Sequence, residues 1–253
     1  MYLTFVRSIT CLLFGATALS TAVIAAEIKV SSTPAATAAL RAAVPEFERA
    51  TGHKVLIDFL NIAGTRSRIM AGEPFDIAIV SPKAVAELQQ QGKLAPDVSL
   101  NMGRTGLALV GHKGLPKPDI SSVESFKRTL LNAKLVAYSA TGESGIGFLK
   151  VLEKMGIAAE MKPRIRSSSN MASVVESGEA ELGNTGIGAG LTYTQLEFIG
   201  PLPAEVQEYV YIAAGVTSNA KSAEAARALL RYLADPAVVR VMSAKGLEPP
   251  AAK

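Results

Sequence analysis

Short apolar runs alternate along this chain with longer stretches in which apolar residues recur every three or four positions. The first period is that of buried strands, the second that of amphipathic helices. Glu27 to Ser31 reads as a strand through Ile28 and Val30. An Ala-rich helical stretch follows through Leu40, Val44, Phe47 and Ala50, and Thr51-Gly52 closes it, as a glycine just past a helix commonly does. Val55 to Leu60 predicts a second strand and Phe75 to Val80 a third. A short helix after Ala63-Gly64-Thr65 ends at Ala71-Gly72 between them, and Ser81-Pro82 opens the helix of Val85, Leu88 and Gln91.

Thr105 to Val110 predicts a further strand, and His112 to Ser122 is a Gly/Pro-rich connection. A second series then begins: helix at Phe126 to Asn132, strand at Leu135 to Tyr138, helix from Ile146 to Met155 ended by Gly156. Ile165 leads to a serine-rich turn, Met171 to Gly178 is helical, and Ala180 to Gly183 runs into Asn184-Thr185-Gly186. Glu208 to Val216 is strand-like, Ala223 to Ala234 is an amphipathic helix, and Asp235-Pro236 starts another. Near-continuous apolar strands alternating with helices indicate an α/β chain with mostly parallel sheets covered on both faces. The expected organisation is two lobes joined by two crossings. Residues 27–108 form the first part of lobe one, 109–206 form lobe two, and 207–253 return to lobe one.

The residues before Glu27 change this picture. Arg7 precedes an apolar run from Ile9 to about Ile24, which ends in Ala25-Ala26. That is the layout of a secretory signal peptide, with cleavage expected after Ala25 or Ala26. Cys11, the only cysteine, lies inside it, so the exported chain is expected to hold together without a disulfide. Export points to the periplasm. Removing the leader leaves 227 residues and a net charge of +3. No Lys/Arg run interleaves with aromatic residues, which excludes a nucleic-acid partner, and a monomer is expected.

Four donor-rich clusters carry the candidate chemistry: Ser31-Ser32-Thr33, Ala63-Gly64-Thr65, Thr141-Gly142-Glu143-Ser144-Gly145 and Ser167-Ser168-Ser169-Asn170. Each follows an apolar run and precedes a helical pattern. Helix N-termini present unpaired backbone N–H groups and the positive end of the helix dipole, which together suit an anion. In open α/β sheets such turns lie at the carboxyl ends of the strands, where ligands sit. His53, following the helix stop, is expected to be exposed, and with His112 makes no metal site. No cofactor is expected.

On these residues the chain resembles the type II periplasmic solute-binding proteins, and within them the molybdate-binding-like family. The matching stretches are Ala71 to Ile79, Val175 to Gly183 and Ala223 to Leu230. The resemblance implies a binding-protein fold and an oxyanion held by hydroxyls and amides of successive loops. On this chain they fall at Ser31 or Ser32, at Ala63, Gly64 and Thr65, at Ser144 with Gly145, and at Ser168. A late tyrosine completes such sites, but Thr185-Gly186 stands at that place and Tyr193 lies seven residues on. Pro116 to Ser121, Phe126 to Arg128 and Val136 to Ser139 resemble a branch that also includes a periplasmic aconitate isomerase. An organic carboxylate is therefore the expected anion.

Two functions follow. The first is capture of a small anion, an organic carboxylate or an oxyanion, for an inner-membrane ABC permease, with Arg66 and Arg104 available to neutralise a carboxylate. The second is isomerisation of a tricarboxylate such as aconitate, for which Glu143, the one carboxylate inside the four clusters, is the candidate base.

Overall fold

The computed structural model describes residues 25–250, so the signal-peptide reading, up to Ile24, lies outside the described residues. Strand β1 (Glu27–Ser32) leads through a tight turn at Pro34–Ala36 into α1 (Thr37–Thr51); β2 (Lys54–Phe59) leads into α2 (Ile62–Met70), and β3 (Ile77–Val80) into α3 (Pro82–Gln90). A 19-residue strand, β4 (Leu94–His112), carries the chain onward to α4 (Val123–Asn132) and β5 (Val136–Tyr138). Next come α5 (Glu143–Lys154), α6 (Ala158–Met161), β6 (Ile165–Ser167), α7 (Met171–Glu176) and β7 (Leu182–Gly186). After α8 (Ile187–Gly190) and β8 (Leu196–Pro201), β9 (Tyr209–Thr217) returns the chain, and α9 (Ala223–Leu233) and α10 (Pro236–Ser243) complete it.

The strands run in the order β2-β1-β3-β9-β4-β7-β5-β6, with β8 added on β4. Three parallel strands form the centre of each lobe: β2-β1-β3 in the first and β7-β5-β6 in the second. The crossing strands run antiparallel to them. Residues Leu94 to Gly106 of β4 pair with β9, and from Leu107 onward β4 pairs with β7 and β8. One strand thus belongs to both lobes, and β9 is the second crossing.

Burial follows the two periods read from the sequence. All four residues of β3 are buried, but Ile77 and Ile79 join one core while Ala78 and Val80 join another with Val85 and Leu88 of α3. Successive side chains of a strand point to opposite faces, so a run without polar interruption means helices on both sides. Helix α1 packs Leu40, Val44 and Phe47 into the same core as α9, which contributes Ala226, Leu229 and Leu233. Each such leucine, valine or phenylalanine gains about 1.5–3 kcal/mol from leaving water. Gly52 ends α1 at φ 73°, a left-handed conformation that a side chain would strain.

Three details differ from expectation. Strand β4 begins at Leu94, eleven residues before the apolar run at Thr105, because register shifts around Ser99 and Gly103 let polar residues take part in the ladder. Strand β8 has no alternation of its own and exists by pairing along β4. His53 is buried, accepting a hydrogen bond at Nδ1 from the Ala26 amide at 3.0 Å and packing beside Phe47.

Candidate functional site

The carboxyl ends of the parallel strands from both lobes open onto one cavity of about 490 Å³. The first lobe lines it with Thr33, Pro34 and Ala35 after β1, and with Phe59 to Ile62 and Gly64 after β2. The second contributes Ser139, Gly142, Glu143 and Ser144 between β5 and α5, then Ser169 to Ala172 at the start of α7. Asn184, Thr185 and Gly186 of β7, together with Ala189, Tyr193 and Val210, complete it.

On the first wall, Asn61 caps α2: its Oδ1 accepts from the Gly64 amide at 2.8 Å, and its backbone carbonyl accepts from Thr65. The amides of Ile62 and Ala63 lie in the first turn, where no acceptor exists within the helix. Ala63-Gly64-Thr65 therefore forms the first turn of α2 and not a loop ahead of it. Thr65 is fully buried and shares a 2.8 Å hydrogen bond with the hydroxyl of Ser31, also fully buried. Ser32 is buried too and donates to the Thr33 carbonyl at 3.2 Å. None of these three hydroxyl residues lines the cavity. They fasten the end of β1 to α2, and Thr33 and Gly64 are the neighbours that face inward.

On the second wall, Glu143 and Ser144 begin α5, and both line the cavity. Gly142 provides no side-chain cap, so the first amides of this helix are also without an acceptor in the helix. Gly145 lies buried one residue deeper, where a Cβ would overlap the Ser139 carbonyl; only glycine lets the helix start this close to β5. Ser168 accepts from the Asn170 amide at 3.1 Å and stays behind the surface formed by Ser169 and Asn170. Thr185 is buried and lines the cavity from β7. Across the cleft, Asn61 Nδ2 donates to the Thr141 hydroxyl at 3.3 Å.

The expected arginines are engaged elsewhere. Arg66 is paired with Glu87 at 2.6 Å. Arg104 is paired with Glu248 at 2.9 Å, with its guanidinium 3.8 Å from the centre of the Tyr209 ring. Neither lines the cavity, nor does any other Lys, Arg or His among the described residues. Among the described residues the one charged side chain there is Glu143. Burial pushes its carboxyl above the ordinary range, a shift the facing Ser81 hydroxyl partly offsets, and its Oε2 is buried without a hydrogen-bond partner. The positive field comes instead from the N-termini of α2 and α5, each equivalent to about half an elementary charge. Among the described residues no group of three or more His, Cys, Asp or Glu could hold a metal ion.

Sequence reasoning passed over Asn61, Asn184 and Tyr193. Asn61 carried a readable signal, since asparagine is a favoured N-cap residue. Tyr193 reaches the cavity only through the path of the chain after α8, so a tyrosine does face the cleft although the place beside Thr185 lacks one.

Known proteins share this architecture. Aconitate isomerase of a Pseudomonas species is 30% identical over 218 residues, covering 83% of each chain. The molybdate-binding protein of Azotobacter vinelandii is 27% identical over 240 residues, covering 92% of this chain and 94% of that one. The solved structure of the periplasmic molybdate-binding protein of that organism superposes with a TM-score of 0.75 at 21% identity, covering 88% and 99% of the two chains. The fold is accordingly the α/β type II fold of periplasmic binding proteins. The family described as Bacterial extracellular solute-binding protein matches residues 28–248, and the chain belongs to that family.

Proposed function

We propose that this protein is a periplasmic receptor that captures a small organic anion in the cleft between its lobes and delivers it to an inner-membrane ABC importer. One observation carries the reading: helix N-termini from both lobes converge on a cavity that no basic side chain among the described residues lines. Neutral N–H and O–H donors can hold a desolvated anion without fixing a counter-charge beside it. Closure of the lobes would exclude water from those hydrogen bonds, and the altered lobe angle is what a permease reads.

Thermal-shift screening against oxyanions and di- and tricarboxylates tests the proposal. A ligand at one hundred times its Kd adds about 2.7 kcal/mol, which raises Tm by about 5–11 °C for a chain of this size. A full panel without a shift refutes anion capture.

A second reading has its own support. Glu143 places a partly desolvated carboxylate in the cleft, and a relative 30% identical is named an aconitate isomerase. Such a base would take a proton from the methylene carbon of aconitate; the double bond shifts, and a proton returns to the former vinylic carbon. The charge balance argues against it, because three substrate carboxylates and Glu143 would share a cavity without a cationic side chain. Following cis- and trans-aconitate interconversion by the purified protein decides between the readings. Turnover abolished by Glu143→Gln establishes the isomerase, and no turnover above background removes it.

A further inference from the structure

The cleft is lined by apolar side chains as well as by donors. Pro34, Phe59, Leu60 and Ile62 of the first lobe and Tyr193 of the second all line the cavity, and each keeps part of its surface accessible. Phe59 and Ile62 are held from behind, because each packs against a different hydrophobic core. Tyr193 packs in the same way against the core of the second lobe. Leu60 differs. It joins none of the three hydrophobic clusters among the described residues, although its amide is fixed by a 2.9 Å hydrogen bond to the Ser32 carbonyl. A Cβ at Gly64 would lie 3.7 Å from that of Leu60. Leu60 therefore borders the turn of α2 whose Ile62 and Ala63 amides have no acceptor within the helix.

A leucine beside free amides, with no core to join, serves a bare anion poorly: nothing on such an ion covers its apolar surface. Size points the same way. The cavity of about 490 Å³ is far larger than a tetrahedral oxyanion needs, since such an ion is only a few times the volume of a water molecule, about 30 Å³. Sites for organic ligands combine an apolar lining with a few convergent polar groups, and that is the composition here.

We propose that the ligand is an organic carboxylate with an apolar body of several carbons: its carboxylate lies on the amides at the starts of α2 and α5, and its body covers Leu60 beside Phe59 and Ile62. This inference rests on the anion-capture reading and narrows it to carboxylates that supply the apolar packing Leu60 lacks. Discrimination then comes from burial. Each methylene that this surface takes out of water raises affinity about fourfold, so an alkyl branch gives about tenfold even when only half of it is covered.

Calorimetric titration of the mature protein with pairs that differ by a butyl group tests this: acetate and hexanoate, malonate and butylmalonate, succinate and butylsuccinate, with molybdate as the anion without a carbon body. The expected result is that in at least one pair the alkyl-bearing member binds about tenfold or more tightly than its partner, and more tightly than molybdate. In Leu60→Ser that preference should fall to about threefold or less, with Tm within about 2 °C of wild type because the side chain belongs to no core. The wild-type comparison stands even if that variant does not fold. Failure of every pair to reach tenfold, or tighter binding of molybdate, overturns the inference and leaves anion capture intact. A preference unchanged in Leu60→Ser overturns the assignment to Leu60. Binding of none of these anions removes both.

Discussion

The two walls of the cleft are built from the same parts, a strand end feeding a helix N-terminus, yet they use their polar side chains in opposite ways. On the first wall the hydroxyls turn inward: Ser31 and Thr65 satisfy each other, Ser32 bonds the backbone, and Asn61 Oδ1 is spent on the Gly64 amide. What that wall leaves for a ligand is chiefly backbone. On the second wall Glu143 and Asn184 line the cavity as residues, but Glu143 Oε2 and Asn184 Oδ1 are buried without a hydrogen-bond partner. A wall whose hydrogen bonds are complete is a fixed platform, whereas one with unmet acceptors carries a free-energy cost that only a partner removes. In its hydrogen bonds the first wall is complete in itself, and the second is not.

The most severe way to break this contrast is to deform the second wall without altering any group that lines it. In Gly145→Val the new side chain meets the Ser139 carbonyl and forces α5 away from β5. Overpacking against backbone costs about 3 kcal/mol here, so Tm should drop by about 6–12 °C, and anion binding should be lost with it. A Tm within about 2 °C of wild type would show that α5 is not held at this distance.

A smaller change tests the platform. Thr65→Val keeps the shape but strands the buried Ser31 hydroxyl, at a cost of about 1–3 kcal/mol, or about 2–12 °C in Tm. Adding Ser31→Ala should recover part of that loss, because removing both partners leaves nothing unsatisfied. Ligand affinity should change by less than about threefold in the doubly substituted protein, since neither hydroxyl reaches the cavity. A collapse of affinity at unchanged stability would instead make these hydroxyls ligand contacts, and the contrast between the walls would disappear.

Those outcomes bear on what the sequence could reveal. The strand ends and helix starts were legible because they depend on neighbours: apolar runs, small polar residues, and glycines at helix ends such as Gly52 and Gly156. The roles of individual side chains at those starts depend on groups far along the chain. Ser31 is turned away from the cleft by Thr65, 34 residues on, and Arg104 is held by Glu248, 144 residues on. No local pattern encodes either pairing. Strand β8 was hidden for a similar reason, since its order comes from β4 and its own residues do not alternate.

The mildest test concerns the charge on the second wall. Burial raises the Glu143 carboxyl above its ordinary range, so the folded chain binds that proton more tightly than the unfolded chain does. The stability associated with it is fully present below the ordinary carboxylate range and is lost as pH rises through the raised value. At neutral pH the ionised, partly desolvated carboxylate is a liability in the empty protein, and the groups around it give no cationic relief: among the described residues no Lys, Arg or His lines the cavity, and Ser81 is neutral. Glu143→Gln should therefore be more stable than wild type at neutral pH by about 0.5–1 kcal/mol, a rise of about 1–4 °C in Tm. The gap should close on acidification, when the wild-type side chain is neutral as well. Paired melting curves across that range measure it. A gap that stays constant with pH would mean the carboxylate is hydrated in the empty cleft, and its unmet oxygen would then impose no cost on the folded chain.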